Sequence, residues 1–203
     1  MKLKYNLKTN NLYYPNTAIA INNFTIKDAQ IIEDIEQELL IKSYNIFFDE
    51  LDENTVFDEK YFRQLHKRTF GELYEWAGVY RDFNMSKGES RFCQGLYVAS
   101  SSKKIFGELK NDNYLKDFED KPKEKFAVKL AYYKCEINAL HPFCELNGRV
   151  TRMFFDMIVA YNGYKFIDYS TVTSEEYING AIECVVYADS SKFEKIIYDG
   201  LSK

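Results

Sequence analysis

Apolar residues recur along this chain mostly at steps of three and four. Ile32, Ile35, Leu39 and Ile46 form one such stripe, which predicts a long helix over about 26–50, capped by Thr25 with Asp28 as a weaker capping-box partner. Further helices are expected over 57–72 and 98–110. The clearest segment begins after Pro122, where Phe126, Leu130, Tyr133, Ile137 and Leu140 follow one another at four, three, four and three, the one-sided stripe of a helix packed on a core. It has to stop before Pro142, whose ring disfavours helical backbone at the preceding residue, so His141 falls at a helix end. Val150, Met153, Phe154, Met157, Ile158 and Tyr161 make another stripe, closed by the Asn162-Gly163 turn. Two more helices follow at 174–187 and 191–201. The exception is VYRDFNMSKGESRFC, residues 79–93, where two short β-compatible runs flank Ser86-Lys87-Gly88-Glu89 and predict a hairpin. The pattern is that of a mainly α domain carrying one β-hairpin.

With 203 residues, 46% of them hydrophobic, the chain can fill one substantial core. A net charge of −4 and no convincing basic patch argue against a nucleic-acid partner. No segment approaches the ~20 apolar residues of a membrane span, and the N-terminus lacks the apolar run of a secretory signal. The cytoplasm is therefore the expected compartment, with export by a specialised system left open. Cys93, Cys135, Cys144 and Cys184 form no CxxC pair and are expected to be reduced and mostly buried.

The densest chemistry lies in HPFCELNGRVTR, residues 141–152. A helix starting near Asn147 or Gly148 presents unpaired backbone N–H groups and the positive end of its dipole, with Asn147 suited to the N-cap. Arg149 and Arg152 share one face of the first turn and suit phosphate oxygens. Glu145 would repel a phosphate unless a cation stands between them, and Mg²⁺ takes one or two carboxylates plus substrate phosphates. His141 has the proton affinity of a general base. These parts belong to phosphate or nucleotidyl transfer.

The stretch resembles the signature of the Fic family, named for filamentation induced by cAMP and its effect on cell filamentation: HPF, any residue, Asp or Glu, Gly, Asn, Gly, Arg, two residues, Arg. His141, Pro142, Phe143, Glu145, Asn147, Gly148, Arg149 and Arg152 fall in register; Leu146 stands where the family usually has glycine. Upstream, YEWAGVYRDFNMSKGESRF (74–92) is similar to the Trp-Ala-Gly segment and flap hairpin of that family, and the likeness spans roughly 58–200. It implies a Fic-fold helical bundle over 51–203, preceded by an N-terminal region, and transfer of AMP from ATP to a Tyr, Thr or Ser hydroxyl of a target protein, self-modification included. His141 would be the base, Glu145 the Mg²⁺ ligand, Asn147 and Gly148 the anion hole, and Phe143 the loop anchor. Arg149 would bind the β-phosphate and Arg152 the γ-phosphate. Asn84, Met85, Ser86, Lys87, Gly88 and Phe92 would form the flap that docks a target segment by strand pairing. An antitoxin chain or a second copy of this chain is a candidate partner. Leucine is disfavoured at positive φ, so the loop is expected to hold negative φ at Leu146 with the side chain turned away.

A second resemblance lies in NTAIAINNFTI, residues 16–26, which is similar to an inhibitory helix of that family. The inhibitory glutamate position falls on Ala20, which would leave Arg152 without an intramolecular partner and the enzyme derepressed, restrained by another route, or an engineered derepressed form; the competing reading of the segment is an apolar turn packed on the core. The competing readings are a non-catalytic nucleotide- or partner-binding module and a kinase-like phosphoryl transferase of the same family. A zinc site at Cys135, His141 and Cys144 lacks a fourth ligand. Cys144 or Cys93 as a nucleophile leaves the arginines and Glu145 unexplained, and His66 is expected to be structural.

Overall fold

The computed structural model describes residues 12–203 together with the backbone of Asn6 and Leu7. Strand β1 (Asn6–Leu7) is followed by helices α1 (Ala29–Asp49) and α2 (Glu59–Phe70), then β2 (Met85–Lys87) and β3 (Ser90–Arg91). Helices α3 (Val98–Asn111), α4 (Lys123–Leu140), α5 (Asn147–Tyr161), α6 (Ser174–Tyr187) and α7 (Ser191–Gly200) complete the chain. The expected mainly α architecture is present, and so is each helix expected from the apolar spacing.

Local chemistry sets the boundaries. Asp28, not Thr25, caps α1: its carboxylate accepts from the amides of Gln30 and Ile31, whereas Thr25 sits at φ 55° in the preceding turn. Asp58 caps α2 through the Tyr61 amide, and Thr173 and Glu176 form a reciprocal capping box on α6. Helix α4 ends at His141, which turns left-handed at φ 45° and ψ 60°. A five-residue loop, 142–146, then leads into α5.

Helix α4 is the centre of the bundle, packed by α3, α5, α6 and α7, while α1 and α2 lie against each other and against α5. Its floor is aromatic: the Phe62 ring lies 5.4 Å from Phe143 and 5.3 Å from Phe154, and all three are fully buried. Such rings supply much of the apolar area that holds a bundle of this size. The expectation of four reduced thiols is corrected: Cys135 of α4 and Cys184 of α6 form a disulfide with Cα atoms 4.9 Å apart. Two irregularly spaced cysteines gave no warning because neighbouring helices, not sequence spacing, bring them together. Cys93 and Cys144 are free thiols.

The hairpin is shorter than the stretch that predicts it, and β1 pairs with β2 to make a three-stranded antiparallel sheet in the order β1-β2-β3. One edge of β2 is thereby occupied by the chain itself, and among the described strands β3 carries the remaining edge of the hairpin. The 16–26 segment is not the helix its resemblance implies. It is a series of turns with a single bridge between Tyr13 and Ala20. The Asn22 side chain braces these turns, donating to the carbonyls of Ala20 and Ile26 and accepting from the amides of Phe24 and Ile26. Among the described residues no helix is long and apolar enough to cross a membrane.

Candidate active site

The loop between α4 and α5 is closed on itself by Asn147. Its side-chain carbonyl accepts from the Phe143 amide and its amide donates to the Phe143 carbonyl, both at 2.8 Å. Asn147 is therefore not the N-cap, and its side chain is committed within the loop; its backbone N–H stands in the first turn of α5. The cap position is Leu146, and here a second expectation is corrected. Leu146 lies at φ 64° and ψ 11°, in the left-handed region, and is 6% exposed. The family's usual glycine can occupy that region at no steric cost; leucine retains the turn because its side chain is buried.

Two side chains hold this loop from below. Phe143 is fully buried against the His66 ring, 4.0 Å between centroids, as expected of an anchor. The His66 Nδ1 accepts from the Gly78 amide at 3.0 Å, which makes Nε2 the protonated nitrogen that donates to the Glu145 carbonyl at 3.1 Å. Burial lowers the imidazole pKa to about 4, so the ring is neutral at physiological pH. His66 is structural, as expected, yet it links the Trp-Ala-Gly segment to the motif loop. Sequence alone gave no sign of either partner.

Most of the residues of the 141–152 motif singled out in the sequence border two cavities that share Arg149, while Arg152 borders neither. The larger, about 530 Å³, is lined on one side by His141, Leu146, Asn147, Gly148 and Arg149, and on another by Lys87, Gly88, Ser90 and Phe92 of the hairpin. Its third wall is α6, with Tyr177, Ile178, Ala181, Ile182 and Val185, an apolar surface suited to a flat ring system. The His141 ring stacks on Phe92 with centroids 3.8 Å apart. A Cβ built on Gly148 would meet nothing within 4 Å, so this residue faces open space at the N-terminus of α5. The smaller cavity, about 240 Å³, holds Glu145, Arg149, Glu36, Tyr74 and Ala20. A groove of about 990 Å³ behind the hairpin is larger than either but touches none of residues 141–152.

Glu145, Arg149 and Arg152 each have protein partners. Glu145, 5% exposed, accepts from the Tyr13 hydroxyl at 2.6 Å. Arg149 donates to Glu36 at 2.7 Å, and that same carboxylate accepts from Tyr74 at 2.6 Å. Arg152, expected to stand without a partner, instead lies over the Tyr169 and Tyr177 rings at 4.5 and 4.8 Å. Ala20 lines the cavity of Arg149 and Glu145, which does not include Arg152. Burial pushes the Cys144 thiol up to about 11, which disfavours the thiolate a nucleophile needs. Of the flap residues, Met85 is buried, and Asn84 accepts from the Gly95 amide, so its side chain braces the hairpin root.

Glu36, Tyr74, Tyr177 and Arg81 escaped sequence reasoning. Glu36 lies on the polar side of α1 and could not be told from a solvated glutamate. Arg81 is 3% exposed and bonded only to carbonyls. Among the described residues no group of three or more His, Cys, Asp or Glu side chains converges as a metal site.

The profile of the Fic/DOC family matches residues 56–159, about half of the chain and all of the loop described above. The chain belongs to the Fic/DOC family. It is 32% identical to the probable protein adenylyltransferase y4lH of Sinorhizobium fredii over 89% of this chain and 90% of that one. It is 30% identical to the protein adenylyltransferase VbhT of Bartonella schoenbuchensis over 93% of this chain, which spans 38% of that longer protein. Among solved structures, BepC of Bartonella tribocorum with bound AMPPNP superposes with a TM-score of 0.80 at 24% identity, covering 95% of this chain and 96% of that one. The fold is thus shared along nearly the whole chain.

Proposed function

We propose that this Fic/DOC protein is a protein adenylyltransferase that moves AMP from ATP to a hydroxyl of a target protein. The observation that carries the reading is the shared cavity: His141, the N-terminus of α5 and Arg149 border one space with an apolar wall on α6 and the hairpin at its mouth. The likeness to the probable protein adenylyltransferase of Sinorhizobium fredii and the protein adenylyltransferase of Bartonella schoenbuchensis supports it.

In this reading the acceptor oxygen attacks the α-phosphorus, its proton passes to His141, and the P–O bond to pyrophosphate breaks. The first-turn N–H groups at Asn147 and Gly148 stabilise charge on the phosphate oxygens. Arg149 takes the β-phosphate, and Arg152 serves the γ-phosphate from its place on the two tyrosines. The residues fit Mg²⁺ in the manner of a phosphate-dependent site: Glu145 is a single buried carboxylate beside Arg149, and phosphate oxygens would complete the coordination. When bound, Mg²⁺ would offset the negative charge of the α- and β-phosphates. The target would meet the hairpin along β3 or at the Lys87-Gly88 turn. With alanine at position 20 the smaller cavity lacks the carboxylate of an inhibitory segment; an antitoxin chain or a second copy could supply one. The cytoplasm, where ATP is abundant, is the compartment this chemistry favours.

The test is transfer of label from α-labelled ATP with Mg²⁺ to proteins of a bacterial lysate. Transfer is expected for the natural chain and absent for His141→Ala. Label arriving only from the γ-phosphate would replace this reading by phosphoryl transfer, and no transfer in any lysate would refute it.

A further inference from the structure

Arg81 is a buried cation whose side-chain hydrogen bonds all end on main-chain carbonyls. Nε donates to His141 at 2.8 Å, Nη2 to Leu140 at 3.0 Å and to Cys93 at 2.6 Å, and Nη1 to Phe83 at 2.6 Å. Its own amide donates to the Pro142 carbonyl at 2.8 Å. Three consecutive carbonyls at the end of α4 and both roots of the hairpin therefore meet on one residue. Burying a guanidinium costs several kcal/mol, and an apolar side chain would fill the same space without that cost. What a hydrocarbon could not do is join these strands of backbone, and a lysine, with a compact head in place of a planar fork of five N–H groups, could not span them all. The end of α4 also carries the negative pole of the helix, which a cation offsets.

We propose that Arg81 is a positioning residue, holding His141 and the hairpin in a fixed mutual relation so that the proton acceptor faces whatever hydroxyl the hairpin presents. Two features converge on this role. His141 is left-handed, a conformation that is strained for a non-glycine residue and persists only where its surroundings enforce it. Arg81 bonds the carbonyl of that very residue. The His141 ring also stacks on Phe92, and the next residue along, Cys93, gives Arg81 its carbonyl and donates its amide to Ala139 at 2.9 Å. One guanidinium thus braces both members of the stacked pair from behind. Arg81 borders neither cavity that contains Arg149, so its removal should leave the nucleotide site largely intact.

The proposal rests on His141 acting as the base, and the experiment separates the two ideas. Arg81→Gln and Arg81→Lys are made in the full chain and assayed with α-labelled ATP and Mg²⁺, using the chain itself and lysate proteins as acceptors. Misplacement of a reacting group by about 1 Å costs on the order of 100-fold, so Arg81→Gln should lower kcat by roughly 30- to 100-fold, and Arg81→Lys should fall between it and the natural chain. The ATP dissociation constant should stay within about threefold, since differences of that size are below one kcal/mol. Exchange of the Cys93 amide with deuterium should accelerate in Arg81→Gln while the amides of α5 keep their protection. A kcat within twofold of the natural value, a parallel loss of ATP affinity, or loss of cooperative melting in both variants would overturn the proposal. If His141→Ala retains transfer, the base assignment fails while the exchange result on Arg81 still reports whether the brace exists.

Discussion

Leu146 offers the most discriminating test of the loop. Its backbone is left-handed while its side chain is 6% exposed, so two effects of opposite sign meet at one residue. Left-handed backbone costs a residue with a Cβ about 1–2 kcal/mol, and burial of a leucine side chain returns roughly 1.5–3 kcal/mol. Truncation to alanine keeps the Cβ, and with it the backbone cost, while removing most of the burial; Leu146→Ala should lose about 2 kcal/mol. Leu146→Gly loses the same burial but relieves the backbone, offset by about 0.5–1 kcal/mol of chain entropy. The glycine variant should therefore be more stable than the alanine variant by roughly 0.5–1 kcal/mol, the reverse of the order found in regular helices, while both stay below the natural chain. Urea melts at one pH measure it, with expected midpoint losses on heating of about 4–8 °C for the alanine variant. An alanine variant as stable as the glycine variant, or more so, would refute the argument that position 146 is held left-handed.

Three further outcomes are expected. His66 has a folded-state pKa near 4 against an ordinary 6.5, so the unfolded chain binds the extra proton first; its contribution is complete above pH 6.5 and is lost as pH falls toward 4, by up to about 3 kcal/mol. Urea melts from pH 7.5 to 4.5 should show that slope in the natural chain and a shallower one in His66→Gln; equal slopes would contradict it. The Cys135–Cys184 bond closes a separation of 49 residues, and its reduction should lower stability by about 2–4 kcal/mol. Melts with and without dithiothreitol that coincide would count against the bond. Glu36→Gln removes a half-buried negative charge that competes with phosphate for Arg149 while keeping an acceptor for Tyr74. ATP should bind about 3- to 10-fold more tightly by calorimetry, roughly a fifth to two-fifths of the roughly 3 kcal/mol of repulsion between charges 5 Å apart at an effective dielectric of 20. Weaker binding would mean that Glu36 chiefly orients the guanidinium.

The helices, the hairpin and the content of residues 141–152 are legible along the chain because those properties are local. A three-four stripe, a proline after His141 and an Asn-Gly turn act within a few residues, and the Fic signature occupies twelve consecutive positions. Cap residues were less legible, since Thr25, Asp28, Leu146 and Asn147 are distinguished only by backbone angles that packing selects. The tertiary structure alone decided the long-range pairings: Tyr13 with Glu145, Glu36 with Arg149, Cys135 with Cys184, His66 with Gly78 and Glu145. Each joins residues from different elements, and nothing in the spacing of a lone glutamate or histidine encodes the partner that folding will bring to it. Arg81 shows the same limit most clearly. In sequence it is one arginine near a turn, and only when the end of α4 and both hairpin roots are packed around it do their carbonyls point at a single guanidinium.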